Sequence, residues 1–415
     1  MNKENILNNY LNLIKNNKNF RLIAVAKFLS DLGSQMQRFG LPWLVYEHTN
    51  SGSLMALNFT MTLLPGLLFG IIGGDTADKF SKKKILILGD FFSGFITIFL
   101  YYMHVLDPKI SVILIFILTF ILSSISSFYT PAFTAIIPNI VSNNIIISAN
   151  SVFSIFESIV SLIGPVVATL IIGIVGAWIT LLINAVSFIL SGIIIINIKY
   201  KSHIKFKKLP ETRKKFNFKK VSYIFEEFSW LKFYLYIMSV MYIALGCVGS
   251  ILQFYFINKL HLKGVSLGAT FVLFEFIPVL IASLLVNMLI KNLSYKYSIF
   301  ISASMFSLSI FGLGLTTNYF IVVFFGIIQN FFGTIALVCW ESIRQERIIS
   351  SKLGMVSGIV VTIQSFLMPL GGIVSSLLLS KIDVQQILKT SGILCFLITL
   401  LIYLVFHKTP YIESD

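Results

Sequence analysis

The sequence predicts an all-α integral membrane protein, with twelve transmembrane helices in two pseudo-symmetric six-helix bundles. Three observations carry that expectation. Of 415 residues, 56% are hydrophobic and only 12% are charged, against about 25% charged in an average soluble domain. The apolar residues gather into stretches long enough to cross about 30 Å of hydrocarbon, which takes roughly 20 helical residues. The basic residues collect in the gaps between those stretches, on one side of the membrane.

The stretches fall near 20–46, 53–77, 85–105, 110–133, 149–173, 176–197, 229–257, 266–290, 297–316, 319–341, 354–379 and 387–406. Helix is the only secondary structure that fits, because lipid leaves no water to satisfy an open strand edge. A polar segment from about 199 to 225 divides the helices six and six. The expected organisation is therefore 1–198 as one six-helix bundle, 199–225 as a basic cytoplasmic linker and 226–415 as a second bundle. The linker holds ten of the 32 Lys/Arg and suits the anionic inner leaflet.

Charge placement sets the orientation. With a cytoplasmic N-terminus, internal segments collect 26 Lys/Arg and external ones five: Lys109, Lys259, Lys263, Lys381 and Lys389. Both termini are thus expected in the cytoplasm of a cell whose plasma membrane the chain crosses repeatedly. The net charge of +15 follows from these loops, so no nucleic-acid partner is expected. The polar first 20 residues lack the apolar core of a cleaved signal peptide. Cys247, Cys339 and Cys395 each lie inside an apolar stretch without metal-ligand spacing and read as core-filling thiols. No cofactor, metal site or catalytic residue is expected. The chain has no nucleotide-binding glycine loop and no plausible Ser/His/Asp arrangement, which argues against an enzyme and against ATP-driven transport.

Acids inside the membrane point to function. A charge at the bilayer centre costs about 2.5–3.5 kcal/mol on insertion scales, so such residues are expected to be paired, protonated or cavity-facing. Asp31 lies near the middle of helix one, with Gln35 and Arg38 following on the same face. Glu157 lies in helix five, Glu275 deep in helix eight and Glu341 at the inner end of helix ten. Desolvation favours the protonated form of a carboxyl group, so these four are the candidates for proton coupling, with Gln35 and Arg38 as candidate substrate ligands. The competing structural reading pairs Asp31 with Arg38, and Glu341 with Arg344.

Between helices two and three stands GGDTADKFSKKK. Gly74, Asp78, Lys79, Lys82 and Lys83 resemble the loop signature of the major facilitator superfamily, G-x-x-x-D-R-x-G-R-R, with Lys79 for Arg and Ser81 for Gly. The 6+6 organisation is that of the same superfamily. The resemblance implies a conformational latch, in which Asp78 faces the start of helix eleven near 352–354; Asp75 and Asp90 are assigned to its network. Gly74 is expected to let helix two approach a neighbour closely. In helix five, Gly164 and Pro165 within SLIGPVVA resemble the superfamily's antiporter motif, though a generic kink is the alternative.

The segments FLSDLGSQMQRFGLPWLVYEHTNS, YTPAFTAIIPNIV and IRQER…LGMVSG resemble the drug-efflux branch of the superfamily, which includes macrolide exporters and the enterobactin exporter. That resemblance implies a monomeric, proton-coupled antiporter exporting amphipathic small molecules. The alternatives are an exporter dedicated to one natural product, such as a siderophore or peptide, and a non-transporting receptor on the same scaffold.

Overall fold

The computed structural model describes residues 15–106, 112–142, 145–199, 228–292, 294–348 and 350–406. Almost all of the basic linker lies outside them. The described residues form helices α1 (Lys18–Thr49), α2 (Gly52–Lys79), α3 (Lys82–Leu106), α4 (Val112–Ile140), α5 (Ile146–Val175) and α6 (Trp178–Ile196). After the linker follow α7 (Ser229–Asn258) and α8, which has three pieces: Gly264–Phe271, a π-helical turn Val272–Phe276, and Ile277–Asn292. The last four are α9 (Tyr295–Leu315), α10 (Tyr319–Arg347), α11 (Ser350–Leu379) and α12 (Val384–Phe406).

Eleven of these helices are long and apolar enough to cross a membrane. The exception is α1, which carries Lys27, Asp31 and Arg38 along its middle. Ile71, Leu284, Ile174 and Phe320 are 73%, 74%, 75% and 78% exposed. Side chains of that size and number are stable on an outer surface only where the surroundings are lipid tails.

The helices divide into two compact units. One gathers the described parts of Met1–Asn50 and Met61–Lys208 with Lys263–Ala269. The other gathers Ser51–Thr60, the described parts of Leu209–Leu262, and those of Thr270–Asp415. The first turns of α2 and of α8 thus each pack with helices of the opposite half of the sequence.

In the first unit, α1 lies against α6 through small residues. A Cβ at Gly33 would stand 2.1 Å from Ser187 Oγ, and one at Gly40 would stand 1.9 Å from Thr180 Oγ1. Such close approach is how membrane helices gain van der Waals contact without a hydrophobic driving force between them. Between these two glycines, Asn184 Nδ2 donates to Gln37 Oε1, both buried, and Ser187 Oγ donates to Asn184 Oδ1 at 3.1 Å. The inner ends are tied by side chains that close open backbone groups. Asn17 caps α1 by accepting from the Phe20 amide, and donates to the Ile140 carbonyl at 3.0 Å. Asn19 exchanges two hydrogen bonds with the Lys199 backbone.

In the second unit, α7 and α11 touch backbone to backbone. A Cβ on Gly246 would lie 1.8 Å from the Met368 carbonyl oxygen, and one on Gly371 would lie 2.0 Å from that of Ile243. The Ser250 and Ser375 hydroxyls meet at 2.7 Å across this seam. Ser53, at the start of α2, and Ser376 exchange hydroxyl-to-carbonyl bonds of 2.6 and 2.8 Å. Tyr255 Oη donates to the carbonyls of Leu313 and Thr316, closing the end of α9. Cys247, Cys339 and Cys395 are buried free thiols, as the sequence suggests.

The π turn in α8 ends two residues before Pro278, which has no N–H to give to the Phe274 carbonyl. Phe274 fills the space over Gly326 of α10, where a Cβ would come within 1.9 Å of its ring.

Lys259 and Asp383 form an ion pair of 2.6 Å on the expected external side. Burial would raise the Asp383 pKa, but the hydrogen bonds from Lys259 and the Gln385 amide, with the attraction of the ammonium, outweigh it and hold the carboxyl below 3.8. The pair's contribution is therefore present above pH 3.8 and lost as pH falls through the lower native value. Lys259→Ala should lower the unfolding temperature slightly at pH 7, and the difference from the parent should vanish in strong acid; thermal scans in detergent across pH check both.

Candidate polar site in the N-terminal bundle

The predicted membrane acids do not behave alike. Asp31 is ion-paired, but with Lys27 four residues earlier on α1, not with Arg38. One helical turn separates Lys27 from Asp31, whereas Arg38 is two turns away, and side chains meet most readily at the i,i+4 spacing. The Lys27 ammonium also sits 5.2 Å from the centre of the Phe133 ring on α4. Arg38 is exposed and makes no ion pair with a described residue.

Gln35 is partly buried, and its Oε1 is shielded from solvent with no hydrogen-bond partner. Its side chain lies over Gly164 of α5, where an added Cβ would stand 3.0 Å from Gln35 Cβ. The next residues of the same motif receive α8: a Cβ on Gly268 would meet Thr169 Oγ1, Val166 Cα and the Pro165 carbonyl within 2.7 Å. Pro165 lies inside an unbroken helix, and the Thr169 hydroxyl one turn later donates to the Pro165 carbonyl at 2.8 Å. The helix-five motif is thus a packing surface with α1 on one side and α8 on the other.

Glu157 on α5 is exposed, and Glu275 is half-buried in the π turn of α8. Such turns often mark functional positions in helices. Glu341 is half exposed and pairs with Arg344 three residues later. Arg344 is itself buried, 5.3 Å from the Trp340 ring. The structural reading of Glu341 is the one the geometry takes up.

The latch residues also sort differently from expectation. Gly74 makes no close approach: an added Cβ would find open space. Its neighbour Gly73 does, with the Ser127 carbonyl of α4 2.1 Å from where a Cβ would stand. One residue along a helix turns the direction by 100°, enough to exchange a lipid-facing position for a packed one. Lys79 pairs with Asp75 at 2.5 Å on the surface of α2. Lys83 reaches across to the end of α6, donating to the carbonyls of Ile196 and Ile198 at 2.7 and 2.8 Å. It therefore caps a helix within its own unit, where a positive charge complements the terminal carbonyls. Asp78 and Lys82 stay at the α2–α3 turn, Asp78 exposed. The side chains of 351–355, where its expected partner lies, are outside the described set.

Asp90 does not sit in the loop network to which the sequence assigns it. It is buried in α3, 1% exposed, and receives a 2.6 Å hydrogen bond from Ser191 of α6. Lys27 and Asp31 are the charged groups that act on it, and the Tyr129 phenol of α4 lies beside it. The bundle therefore gathers Lys27, Asp31, Asp90, Tyr129 and Ser191 from four helices. Of these, Tyr129 and Ser191 carry no signal that sequence reasoning uses. Lys27, a lysine one turn before an intramembrane acid, is the one clue that could have been read.

A family model described as "Transmembrane secretion effector" matches residues 14–415. Among curated proteins, the chain is 23% identical over 385 residues to the staphyloferrin A transporter of Staphylococcus aureus (strain NCTC 8325 / PS 47), covering 92% of this chain and 95% of that one. It is 29% identical over 184 residues to the enterobactin exporter EntS of Shigella boydii serotype 4 (strain Sb227), a match that spans 43% of this chain and 42% of the relative. Two solved structures share the fold over 94% of the chain. A bacterial homologue of the iron transporter ferroportin in its inward-facing state superposes with a TM-score of 0.72 at 15% identity, over 98% of its length. The nucleoside transporter NupG does so with 0.76 at 11% identity, over its whole length.

The glycine pair in α2 gives a direct check on the packing. Gly73→Ala should lower the thermal unfolding midpoint, because overpacking costs about 1–3 kcal/mol. Gly74→Ala should leave it unchanged or raise it, since alanine gains about 0.5–1 kcal/mol over glycine inside a helix. Equal effects of the two substitutions would refute the assignment.

Proposed function

Since this chain belongs to the transmembrane secretion effector family and has the major facilitator fold, we propose that it is a proton-driven exporter of an anionic, metal-chelating small molecule of the siderophore type. That it is a multi-span membrane transporter and not an enzyme is the ground from which the proposal starts. The cargo class, the proton coupling, the monomeric state and the cytoplasmic placement of both termini are the proposal's content.

The observation that carries the cargo class is Arg38. A guanidinium well inside a membrane helix, exposed and without a described acid opposite it, needs a counter-charge from outside the chain. Its planar array of donors suits a carboxylate or catecholate oxygen pair. One turn earlier, Gln35 presents an unpartnered oxygen that can accept from a cargo hydroxyl or amide. The names of the two relatives, a staphyloferrin A transporter and an enterobactin exporter, favour the same class. A cationic or apolar amphiphile, the macrolide-like cargo that the drug-efflux resemblance implies, would leave Arg38 uncompensated.

Coupling would run through the acids of the first bundle. Glu341, engaged with Arg344, is the weakest of the four candidates, whereas Asp31 shares its counter-ion with a second acid nearby. Asp75, Asp78, Lys79 and Lys82 would serve the α2–α3 turn as a conformational latch, with Gly164 and Pro165 keeping α5 close to α1.

Purified protein in proteoliposomes under an imposed pH gradient, offered a panel of siderophores, macrolides and neutral dyes, tests this reading. Transport should be confined to anionic chelators. Arg38→Gln should raise their KM at least tenfold, the equivalent of about 1.4 kcal/mol, with little change in kcat. Transport of neutral dyes or macrolides, untouched by Arg38→Gln, would overturn it.

A further inference from the structure

We propose that Asp90 carries a proton of the transport cycle, held on its carboxyl in the conformation described because Lys27 neutralises Asp31 and, among the described residues, no second cation reaches the cluster. The inference deepens the proton-driven reading above and rests on it for its place in transport, but its central claim concerns the resting protein alone.

Two carboxyls, Asp31 and Asp90, and one ammonium, Lys27, share the interior of the first unit. Around the buried Asp90, helix α1 offers Lys27 and Asp31, α4 offers Tyr129, and α6 offers Ser191 with Gly192, whose Cα face lies against Asp90 Cβ. Among these described groups Lys27 is the one positive charge. Lys83, the nearest latch lysine in sequence, is committed to the α6 carbonyls. With both acids ionised, the cluster would carry one net negative charge in low dielectric, and a buried charge of that kind costs several kcal/mol unless paired. With one proton, the cluster is neutral.

Which acid holds the proton follows from the contacts. Asp31 has the ammonium in hydrogen-bonding contact and remains partly exposed, 24% for its side chain. Asp90 is sealed, and its single hydrogen bond engages Oδ2 only; Oδ1 is buried with no donor. A carboxylate is stabilised by accepting hydrogen bonds, so a buried oxygen without a donor of ordinary geometry favours the protonated form. The Tyr129 hydroxyl is likewise buried without a hydrogen bond of ordinary geometry, and it lies close enough to interact with both Asp90 and Ser191. It stands ready to accept from the Oδ1–H or to donate to the carboxylate once the proton has left.

The step itself is a simple dissociation. Asp90 gives its proton to water when the bundle opens to the cytoplasm, and its carboxylate then competes with Asp31 for Lys27. Reprotonation from the external side returns Lys27 to Asp31 alone. One proton thus moves inward through Asp90 in each cycle while the anionic cargo moves outward.

Infrared spectroscopy of the purified protein in lipid tests the resting claim without any cargo. At neutral pH the protein should show the C=O stretch of a protonated carboxyl group that Asp90→Asn abolishes. Asp90→Glu should shift the frequency of that band and Asp31→Glu should not. Asp31→Asn, which releases Lys27 to Asp90, should weaken the band, and Lys27→Gln, which removes the shared counter-ion, should roughly double it, because both acids then bind protons. A band absent from the parent protein, one insensitive to Asp90→Asn, or one shifted by Asp31→Glu and not by Asp90→Glu would overturn the proposal. If the Asp90 variants fail to fold, the other arms decide alone: a band unchanged in Lys27→Gln, or shifted in Asp31→Glu, would overturn it.

The transport arm uses the same proteoliposomes with a ferric-free catecholate siderophore as probe. Asp90→Asn should retain exchange of labelled for unlabelled probe at equal pH and lose at least tenfold of the uphill, gradient-driven flux. Retained uphill flux would remove Asp90 from coupling even if the infrared result stood. A parent protein that moves no chelator would count against the cargo reading, while the spectra would still judge the protonation.

Discussion

Inside the first unit, one ammonium serves two carboxyl groups, and the chemistry of the bundle follows from that shortage. Bulk solvent would dilute the imbalance, but the Asp90 carboxyl lies buried between α3 and its neighbours, 1% exposed. A membrane protein that bears such an imbalance has three ways out: protonate an acid, import a cation or open to solvent. The first and the last of these, alternating, are what a proton-driven transporter requires. The cost of the site is thereby converted into a reason for it to move.

The surrounding architecture keeps that site tight. Small residues at Gly33, Gly40 and Gly73 bring α1 against α6 and α2 against α4 at distances no larger residue would permit. Polar side chains then close the ends: Asn17, Asn19 and Lys83 each satisfy carbonyls that a helix terminus leaves open. The second unit is built by the same rules. Backbone contact at Gly246 and Gly371 and the Ser250–Ser375 pair hold α7 to α11. Its ionisable groups are nevertheless spent differently. Glu341 and Arg344 neutralise one another, and Lys296 is occupied with the Phe406 carbonyl and the Phe233 ring. The two halves differ in charge pattern, which is why the proposed coupling role is given to the first.

Sequence carried the fold because length and hydropathy are sufficient for membrane helices: each apolar run has one structure open to it. Even α1, too charged to pass a composition threshold, was legible from its neighbours and from the side on which the basic residues lie. The site was less legible, for geometric reasons. Asp31 has a basic residue both four positions before and seven after it, and only the folded helix decides between Lys27 and Arg38. Gly73 and Gly74 are equivalent in a string and face directions 100° apart in a helix. Asp90, ten residues past the loop signature, reads as part of it by proximity, whereas its partners come from residues 27, 31, 129 and 191, which no local pattern brings together. Pro278 is visible beside Glu275, but Pro42, Pro65 and Pro165 sit in unbroken helices, so the π turn at this membrane acid belongs to three dimensions.

The arrangement also explains why the first bundle can hold Arg38 and Lys27 on one helix without cancelling either. They lie eleven residues apart, about 16 Å along the axis at 1.5 Å per residue. Over that span a water-filled cleft would screen them from each other while dry protein would not. Lys27 is turned inward to the acids and Arg38 outward, exposed. In the proposed anion exporter, two cations on one helix would divide the labour: Arg38 would face the cargo and Lys27 would govern the proton. On that proposal, protonation of Asp90 would free Lys27 to hold Asp31 and deprotonation would draw it away, so the electrostatic environment along α1 would change with each proton. A cargo bound near Gln35 and Arg38 would feel that change through the helix on which all four residues sit.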